Sequence, residues 1–205
     1  MIRLDRDGGL WIATLDRPDK ANALTEAMLS DLADIAEAAA LEAQVFILTG
    51  AGKVFSAGAD LEAARAGLAT SPVWERLSTA IAAFPGLSIA ALNGTVAGGA
   101  MGMVLACDIR IAAPGSKAFY PVMKLGFLPQ PSDPARLSAL IGPARARMIL
   151  MAGQKIDTET ALAWGLFDRV PPDAETVLDT ARALAADALA ANPAHVAGIK
   201  ALCRP

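Results

Sequence analysis

Histidine and cysteine are scarce in this chain of 205 residues, which has one histidine, His195, and two cysteines, Cys107 and Cys203. At that count a zinc site built from several histidine and cysteine ligands is excluded within one chain, and we expect no metal. Two cysteines are also too few for a disulfide framework, so we expect a reduced, cytoplasmic setting. His195 lies in the segment NPAHVAGIK, and we interpret it as a helix-surface residue rather than the base of a Ser–His–Asp triad.

Positive charge is not in excess, and long uncharged apolar runs are missing. The formal net charge is −3, which does not provide the basic surface that nucleic acid requires. No uncharged apolar stretch reaches the roughly 18 residues that a membrane-spanning helix needs. The first residues, MIRLDRDGG, mix acids with bases and lead into no apolar segment, so we expect no signal peptide. We therefore expect neither nucleic acid nor a membrane as partner.

Strand-like and helix-like patterns alternate along the chain, which predicts an α/β core formed by a single domain over residues 1–205. Short apolar runs predict strands at 10–16, 44–49, 88–92 and 108–112. Helical periodicity and capping residues predict helices over 26–43 with Thr25 as cap, 73–83, from Gly98 to about Cys107, from Asp157 to Gly165, and 174–190.

The segment AGGAMGMVLACDIRIA, residues 97–112, begins a predicted helix with several glycines. Glycine inside a helix costs about 0.5–1 kcal/mol relative to alanine, so we expect a close approach to the backbone there. The segment is not a dinucleotide fingerprint, because Ala97 occupies the first glycine position and no acid follows about twenty residues later. TGAGKV, residues 49–54, is not a P-loop, because Val54 replaces the magnesium-binding Ser or Thr.

Two glycine-containing segments can instead act together. FSAGAD, residues 55–60, follows one predicted strand, and Gly98–Gly99 opens a helix after another. Each offers backbone N–H groups with little obstruction by side chains. Two such groups facing one point form an oxyanion hole, which stabilises negative charge on a carbonyl oxygen. The alternative is that both segments are only tight turns.

The chain resembles the crotonase, or enoyl-CoA hydratase/isomerase, superfamily over about residues 2–200. The resemblance is carried by LDRPDKANAL (15–24), FILTGAGKVFSAGAD (46–60), SIAALNGTVAGGAMGMVLACDIRIA (88–112), VMKLGFLP (122–129) and RMILMAGQKIDTETALAWGLFDRV (147–170). It implies ββα units wound into a superhelix and an acyl-CoA thioester as substrate. Coenzyme A would then be part of the substrate, with no tightly bound cofactor.

The resemblance also implies roles for particular residues. The N–H groups of Ala59 and Gly99 would hold the thioester oxygen as it becomes an enolate. Coenzyme A would lie along Lys20, Ala21, Ala23, Ala57, Gly58, Asp60 and Leu61. The substrate pocket would include Gly98, Gly102, Val122 and Gln130. Lys20 would contact a phosphate, or would be only a solvated surface lysine.

Two positions depart from the hydratase pattern. Hydratases similar to this chain carry glutamates where Gly102 and Val122 stand here, and neither replacement can transfer a proton. We therefore favour an isomerase-type shift of a double bond over hydration by a pair of glutamates. Glu75, in VWERL, is the candidate base, and the alternative is a carboxylate on the solvated face of its helix.

Other polar residues near these positions are weaker candidates. Gln130 stands where some relatives have an aspartate, and an amide cannot act as a base. Asp133 could reach the site only if its loop curls back. We expect structural or capping roles for Asp60 and Asp108, and a packing role in the pocket wall for Tyr120, the only tyrosine.

Family members usually continue through further helices at the C-terminus, so we interpret residues 174–205 as a remnant of that region. By resemblance the protein is a homotrimer or a dimer of trimers, with a smaller interface and a more open pocket. The alternatives to an enzyme are a catalytically inactive subunit that binds CoA thioesters, and a chain that binds no CoA.

Overall fold

A computed structural model of the chain describes residues 1–203. Its strands, numbered in chain order, are β1 (Ile2–Asp7), β2 (Leu10–Leu15), β3 (Val45–Gly50), β4 (Val54–Ser56), β5 (Leu87–Leu92), β6 (Thr95–Ala97), β7 (Ile109–Ala112), β8 (Lys117–Phe119) and β9 (Ile156–Asp157). A large sheet has the order β1-β2-β3-β5-β7, and a small one has the order β4-β6-β8-β9. Only the outer pairs, β1 with β2 and β8 with β9, are antiparallel.

The helices surround these sheets. They are α1 (Glu26–Glu42), α2 (Leu61–Arg65), α3 (Val73–Ala83), α4 (Ala100–Ala106), α5 (Val122–Leu125), α6 (Asp133–Ile141), α7 (Pro143–Leu150), α8 (Thr158–Trp164), α9 (Val177–Ala190) and α10 (Pro193–Leu202). Short 3-10 turns occur at Pro18–Lys20, Leu68–Thr70 and Ala174–Thr176. Within the described residues, no helix is both long enough and apolar enough to cross a bilayer.

A strand–strand–helix unit repeats three times, as the resemblance implies. In each unit the first strand (β3, β5 or β7) joins the large sheet and the second (β4, β6 or β8) joins the small sheet, before the chain turns into a helix. Because neighbouring units pair in parallel, the ends of their strands meet at one edge. The segments that follow β4 and β6 are therefore brought side by side.

The central strands are buried on both faces, which explains their continuous apolar runs. On β3, Phe46 and Leu48 pack into the main core with α1 and α3. Val45 and Ile47 point to the other face, where α9 covers them. Residues 174–190 therefore form a 3-10 turn and a helix that close one face of the large sheet.

Helix ends follow the predicted signals closely. Thr25 caps α1 by accepting a hydrogen bond from the N–H of Met28 at 3.3 Å, and Asp157 caps α8. Gly165 ends α8 in the left-handed conformation, and Gly142–Pro143 separates α6 from α7. Strand β1 was missed because its residues, IRLDRD, are mostly charged and lie at an edge of the sheet.

Candidate active site

Two backbone segments that the sequence identified separately lie against each other. Gly58, after β4, has a φ of +92°, and Gly98, after β6, has a φ of +57°. A Cβ atom on Gly58 would lie 2.9 Å from the carbonyl oxygen of Ala97 and 3.4 Å from the Cα of Gly98. Glycine is required here because of the left-handed backbone and because one main chain contacts the other.

The N–H groups of Ala59 and Gly99 donate no hydrogen bond within residues 1–203. Leu24 pairs with Ala59 through the neighbouring amides: the N–H of Leu24 donates to the carbonyl oxygen of Gly58, and that of Asp60 donates to Leu24, both at 2.8 Å. In a parallel bridge of this kind the middle residue directs its own N–H away from the partner strand. Gly99 precedes the first turn of α4, so its N–H has no partner inside the helix.

The glycine at position 99 is also required by a contact inside the protein. A Cβ atom there would lie 3.0 Å from two carbon atoms of the Trp74 indole ring. Trp74 is itself held in place, since its indole N–H donates to the carbonyl oxygen of Leu68 at 2.7 Å. The expected close approach to the backbone of this segment therefore comes in part from α3, which packs directly on the start of α4.

A cavity of about 300 Å³ adjoins both segments. Its wall includes the predicted residues Ala57, Ala59, Leu61, Gly98, Gly99, Val122 and Gln130. Nearly all of its other lining side chains are apolar, and Arg65, Trp74, Tyr120 and Gln130 are the ones that carry N–H or O–H groups. Among the described residues no acidic side chain lines it. The remaining predicted residues, Lys20, Ala21, Ala23, Gly58, Asp60, Glu75 and Gly102, lie outside its wall.

The two segments predicted to bind coenzyme A are joined by main-chain hydrogen bonds. The N–H of Ala57 donates to the carbonyl oxygen of Ala21 at 3.0 Å, beside the Leu24–Ala59 bridge. Between them lies Asn22, a fully buried residue that sequence reasoning missed. Its side-chain amide donates to the carbonyl oxygens of Ala51 and Val54, so it ties the segment around Asn22 to the turn between β3 and β4. Lys20 is exposed at the end of this arrangement.

Asp60 has the structural role expected from the sequence. Its carboxylate accepts hydrogen bonds from the N–H groups of Glu62 and Ala63 and so caps α2. It also pairs with the guanidinium of Arg17 at 2.8 Å, and that hydrogen bond lowers the pKa of Asp60 below its usual value. The carboxylate is therefore engaged by the protein, which leaves the main chain of this segment for a ligand.

Behind one wall of the cavity lies a group of polar side chains that we call the acidic cluster: Glu75, Tyr120, Ser132, Asp133 and Arg136. The Glu75 carboxylate accepts a close hydrogen bond from the Ser132 hydroxyl. The Tyr120 hydroxyl donates to Oδ2 of Asp133 at 2.9 Å, and Tyr120 also lines the cavity. The cluster is thus in contact with the cavity through Tyr120.

Burial sets the ionisation of this cluster. Asp133 is 1% exposed, and burial raises its pKa to about 6, aided by the negative charge of Glu75 and opposed by Tyr120 and Arg136. Burial, with the nearby charge of Asp133, also raises the pKa of Tyr120 well above its ordinary value. Tyr120 therefore keeps its proton at neutral pH, whereas Asp133 exchanges its proton near neutrality.

Asp133 contributes more to the site than its sequence position suggested. It begins α6, and this places its carboxylate against α4, where a Cβ atom on Gly102 would lie 2.9 Å from Oδ1. Oδ1 is buried without a hydrogen-bond partner in the described chain, and Nη1 of Arg136 lies 4.0 Å away. The contact brings together residues 31 positions apart, and no sequence pattern signals it.

Two other residues are placed as the sequence predicted. His195 is exposed on α10 and does not line the cavity. Asp108 has a structural role, since one of its oxygens accepts hydrogen bonds from the N–H and hydroxyl of Ser88 and from the ammonium of Lys200. Lys200 thereby ties α10 to the large sheet.

Comparison with known proteins gives one consistent result. A family model described as enoyl-CoA hydratase/isomerase matches residues 5–204. The chain is 34% identical to a carnitinyl-CoA dehydratase of Escherichia coli K12 and 36% identical to one of Salmonella arizonae; each alignment spans 99% of this chain and 80% of the relative.

Solved structures agree with the sequence relatives. DspI of Pseudomonas aeruginosa superimposes with a TM-score of 0.89 at 32% identity, covering 97% of this chain and 78% of that one. An enoyl-CoA hydratase/carnitine racemase of Magnetospirillum magneticum superimposes with a TM-score of 0.89 at 31% identity, covering 98% and 79%. The fold is therefore shared across nearly the whole chain.

Proposed function

The chain belongs to the enoyl-CoA hydratase/isomerase family, and within it we propose an enzyme that shifts a double bond in an acyl-CoA by stabilising the thioester enolate. The observation that carries this proposal is the pair of unbonded N–H groups, of Ala59 and Gly99, in one apolar cavity. Two such donors in a site that excludes water stabilise a developing oxyanion strongly, and loss of one costs about 10²–10³-fold in rate.

Coenzyme A would extend from the cavity along Ala57–Leu61 and Lys20–Leu24. These segments are hydrogen-bonded to each other, so their main chains form a continuous edge. The exposed ammonium of Lys20 suits a phosphate, which it would bind as a point charge. Lys20→Ala is expected to weaken binding of hexanoyl-CoA several-fold in calorimetry and to leave kcat unchanged. Lys124→Ala, on α5, is the matched control.

Glu75 is the base that we propose for removal of the proton next to the thioester. Trp74, the residue before Glu75, lines the cavity. Ser132, the hydrogen-bond partner of Glu75, lies two residues from Gln130, which also lines the cavity. The carboxylate would turn from Ser132 towards the substrate. Incubation of trans-3-hexenoyl-CoA in D₂O tests this role: Glu75→Gln is expected to abolish exchange of the C2 hydrogens while hexanoyl-CoA still binds. Unchanged exchange would exclude Glu75 as the base.

A second candidate function is favoured by the absence of acidic side chains from the described cavity wall. In that case the chain would be a subunit that binds CoA thioesters without turning them over. A panel of acyl-CoAs separates the two functions. Turnover or hydrogen exchange with any ester supports the enzyme, and tight binding without either supports the inactive subunit. The absence of binding across the panel would refute both.

We propose a homotrimer as the functional assembly. A groove of about 540 Å³ beside the cavity carries the exposed apolar side chains of Met123, Phe127, Leu128 and Met151. An apolar patch of this kind is typical of an interface with another protein. Sedimentation analysis is expected to give the mass of a trimer, and Met151→Glu is expected to weaken it. A monomer at all concentrations would contradict this proposal.

A further inference from the structure

The space beside Gly102 is filled by a carboxylate from another element. Oδ1 of Asp133 lies 2.9 Å, and Oδ2 3.1 Å, from the point where a Cβ on Gly102 would stand. Any side chain at position 102 would have to enter this space. The chain thus presents a carboxyl group at the first turns of α4, although α4 itself carries none.

Asp133 reaches the cavity through a single group. Tyr120 lines the cavity and is the one hydroxyl-bearing side chain in the wall that the structure describes. Its hydroxyl is 2.9 Å from Oδ2 of Asp133. The groups that face Asp133 from the elements packed on it are Tyr120, Arg136 of its own helix and Glu75 of α3. Because Tyr120 and Asp133 are both buried, water does not compete with either group in proton transfer between them.

We propose that Tyr120 is the proton donor to the substrate and that Asp133, hydrogen-bonded behind it, resupplies that proton. The inference rests on the proposed function and completes it, because a double-bond shift needs a proton removed from one carbon and delivered to another. Glu75 serves the first carbon and the Tyr120–Asp133 pair serves the second. Tyr120 is a catalytic residue in this scheme, and Asp133 acts through it.

The double-bond shift conserves protons and electron pairs. Glu75 takes a proton from C2 of a 3-enoyl thioester, and the electrons of that C–H bond move to the thioester oxygen held by Ala59 and Gly99. The electron pair moves back from the enolate oxygen as C4 takes the hydroxyl proton of Tyr120. The phenol oxygen takes the proton of the Asp133 carboxyl group at the same time. Glu75 ends protonated and Asp133 ionised. Release of one proton from Glu75 to solvent and uptake of one by Asp133 restore the starting state.

The ionisation of Asp133 controls this donor. When Asp133 is ionised, the Tyr120 hydroxyl donates to it and is not available to the cavity. When Asp133 is protonated, its carboxyl group donates to the phenol oxygen, and the Tyr120 hydrogen is free to turn towards the substrate. Because the pKa of Asp133 is raised to about 6, both states are populated near neutral pH.

Kinetics with trans-3-hexenoyl-CoA in D₂O test the donor role. Tyr120→Phe and Asp133→Asn are expected to retain exchange at C2 within about 3-fold and to lose formation of the 2-enoyl product by about 10²–10⁴-fold. Product formation by the wild type is expected to fall as pH rises through about 6, and that dependence is expected to vanish in Asp133→Asn. Asp157→Asn, which changes a capping carboxylate on α8, is the control with wild-type behaviour.

A spectroscopic measurement distinguishes failure of the pair from failure of the proposed function. Tyr120 is the only tyrosine, so ¹³C-labelled tyrosine gives one NMR signal from the site. That signal is expected to titrate near pH 6 in the wild type but not in Asp133→Asn, and to shift when hexanoyl-CoA binds. The proposal would be overturned if both variants formed product at the wild-type rate, or if they lost C2 exchange as much as product formation. It would also be overturned if the Tyr120 signal did not change with pH. A responsive signal without turnover of any enoyl-CoA would refute the proposed function and the donor role that rests on it, and would leave only the coupling between Tyr120 and Asp133.

Discussion

The indole ring of Trp74 packs on the Cα of Gly99, so that the contact between α3 and α4 leaves no room for a side chain there. Trp74 is held by its own hydrogen bond to Leu68. Packing by Trp74, which also lines the cavity, therefore holds the main chain at Gly99 in place. A rigid donor that needs no rearrangement is what electrostatic stabilisation of an enolate requires.

Gly99→Ala should consequently damage catalysis. The new methyl group would lie 3.0 Å from the Trp74 ring, and the main chain would shift to avoid it. We expect kcat/KM for trans-3-hexenoyl-CoA to fall by about 10²-fold, the range for loss of one oxyanion donor. The double variant Trp74→Phe/Gly99→Ala should recover part of that loss, because the smaller ring leaves space. An unimpaired Gly99→Ala enzyme would show that this N–H is not used.

Gly102→Ala tests the contact between α4 and Asp133. Alanine normally stabilises a helix relative to glycine by about 1 kcal/mol, but here its Cβ would lie 2.9 Å from Oδ1 of Asp133. We expect net destabilisation of about 1–3 kcal/mol, as for other overpacked sites, measured by urea denaturation. In an Asp133→Ala background the same change should become neutral or stabilising.

Gly198→Ala is the matched control for that experiment. Gly198 lies in α10 with nothing within 4 Å of the position of its Cβ. The substitution should stabilise the protein by about 0.5–1 kcal/mol. Destabilisation by both substitutions would remove the support for a specific clash at position 102.

The raised pKa of Asp133 makes stability depend on pH. Between its ordinary value of 3.8 and about 6, the folded chain keeps this proton and the unfolded chain has lost it. The free energy of unfolding should therefore fall by up to about 3 kcal/mol as pH rises across that interval. Asp133→Asn should flatten this decline in urea denaturation curves measured from about pH 4 to about pH 7. An identical decline in both proteins would contradict the assignment.

Arg110 anchors the edge of the large sheet, away from the cavity. Its side chain is 4% exposed, pairs with Asp168 at 2.8 Å, and donates to the carbonyl oxygens of Leu166 and Cys107. Arg110→Leu leaves these acceptors unpaired and should lower the free energy of unfolding by about 2–5 kcal/mol. Kinetic constants of the protein that remains folded should be close to those of the wild type, and a selective loss of kcat would point instead to a role in the site.

Sequence reasoning worked best where the signal is local. Thr25, Asp157 and Gly165 were identified as helix caps because each needs only its own neighbours. The segments around Ala59 and Gly99 were also found, because glycines at strand ends are recognisable without knowing what they contact. Strand β1 was missed because its charged residues lack the apolar pattern of a buried strand.

The acidic cluster could not be found in this way. Glu75 was named as the candidate base from the segment VWERL, but its partner Ser132 lies 57 residues away. Asp133 was considered only if its loop curled back. The start of α6 at Asp133 achieves this, and only the folded chain shows that its carboxylate fills the space beside Gly102.

By itself the sequence determined the α/β class and the two main-chain segments of the candidate site, because apolar period, glycine and capping residues act over a few positions. The family and its repeated units were expected from the resemblance to known sequences. Tertiary structure alone decided which side chains surround those segments: Trp74 at Gly99, Asp133 at Gly102, and Tyr120 between Asp133 and the cavity. The physical reason is that such contacts join residues far apart in the chain. Their ionisation, moreover, is set by burial, which exists only once the helices have packed.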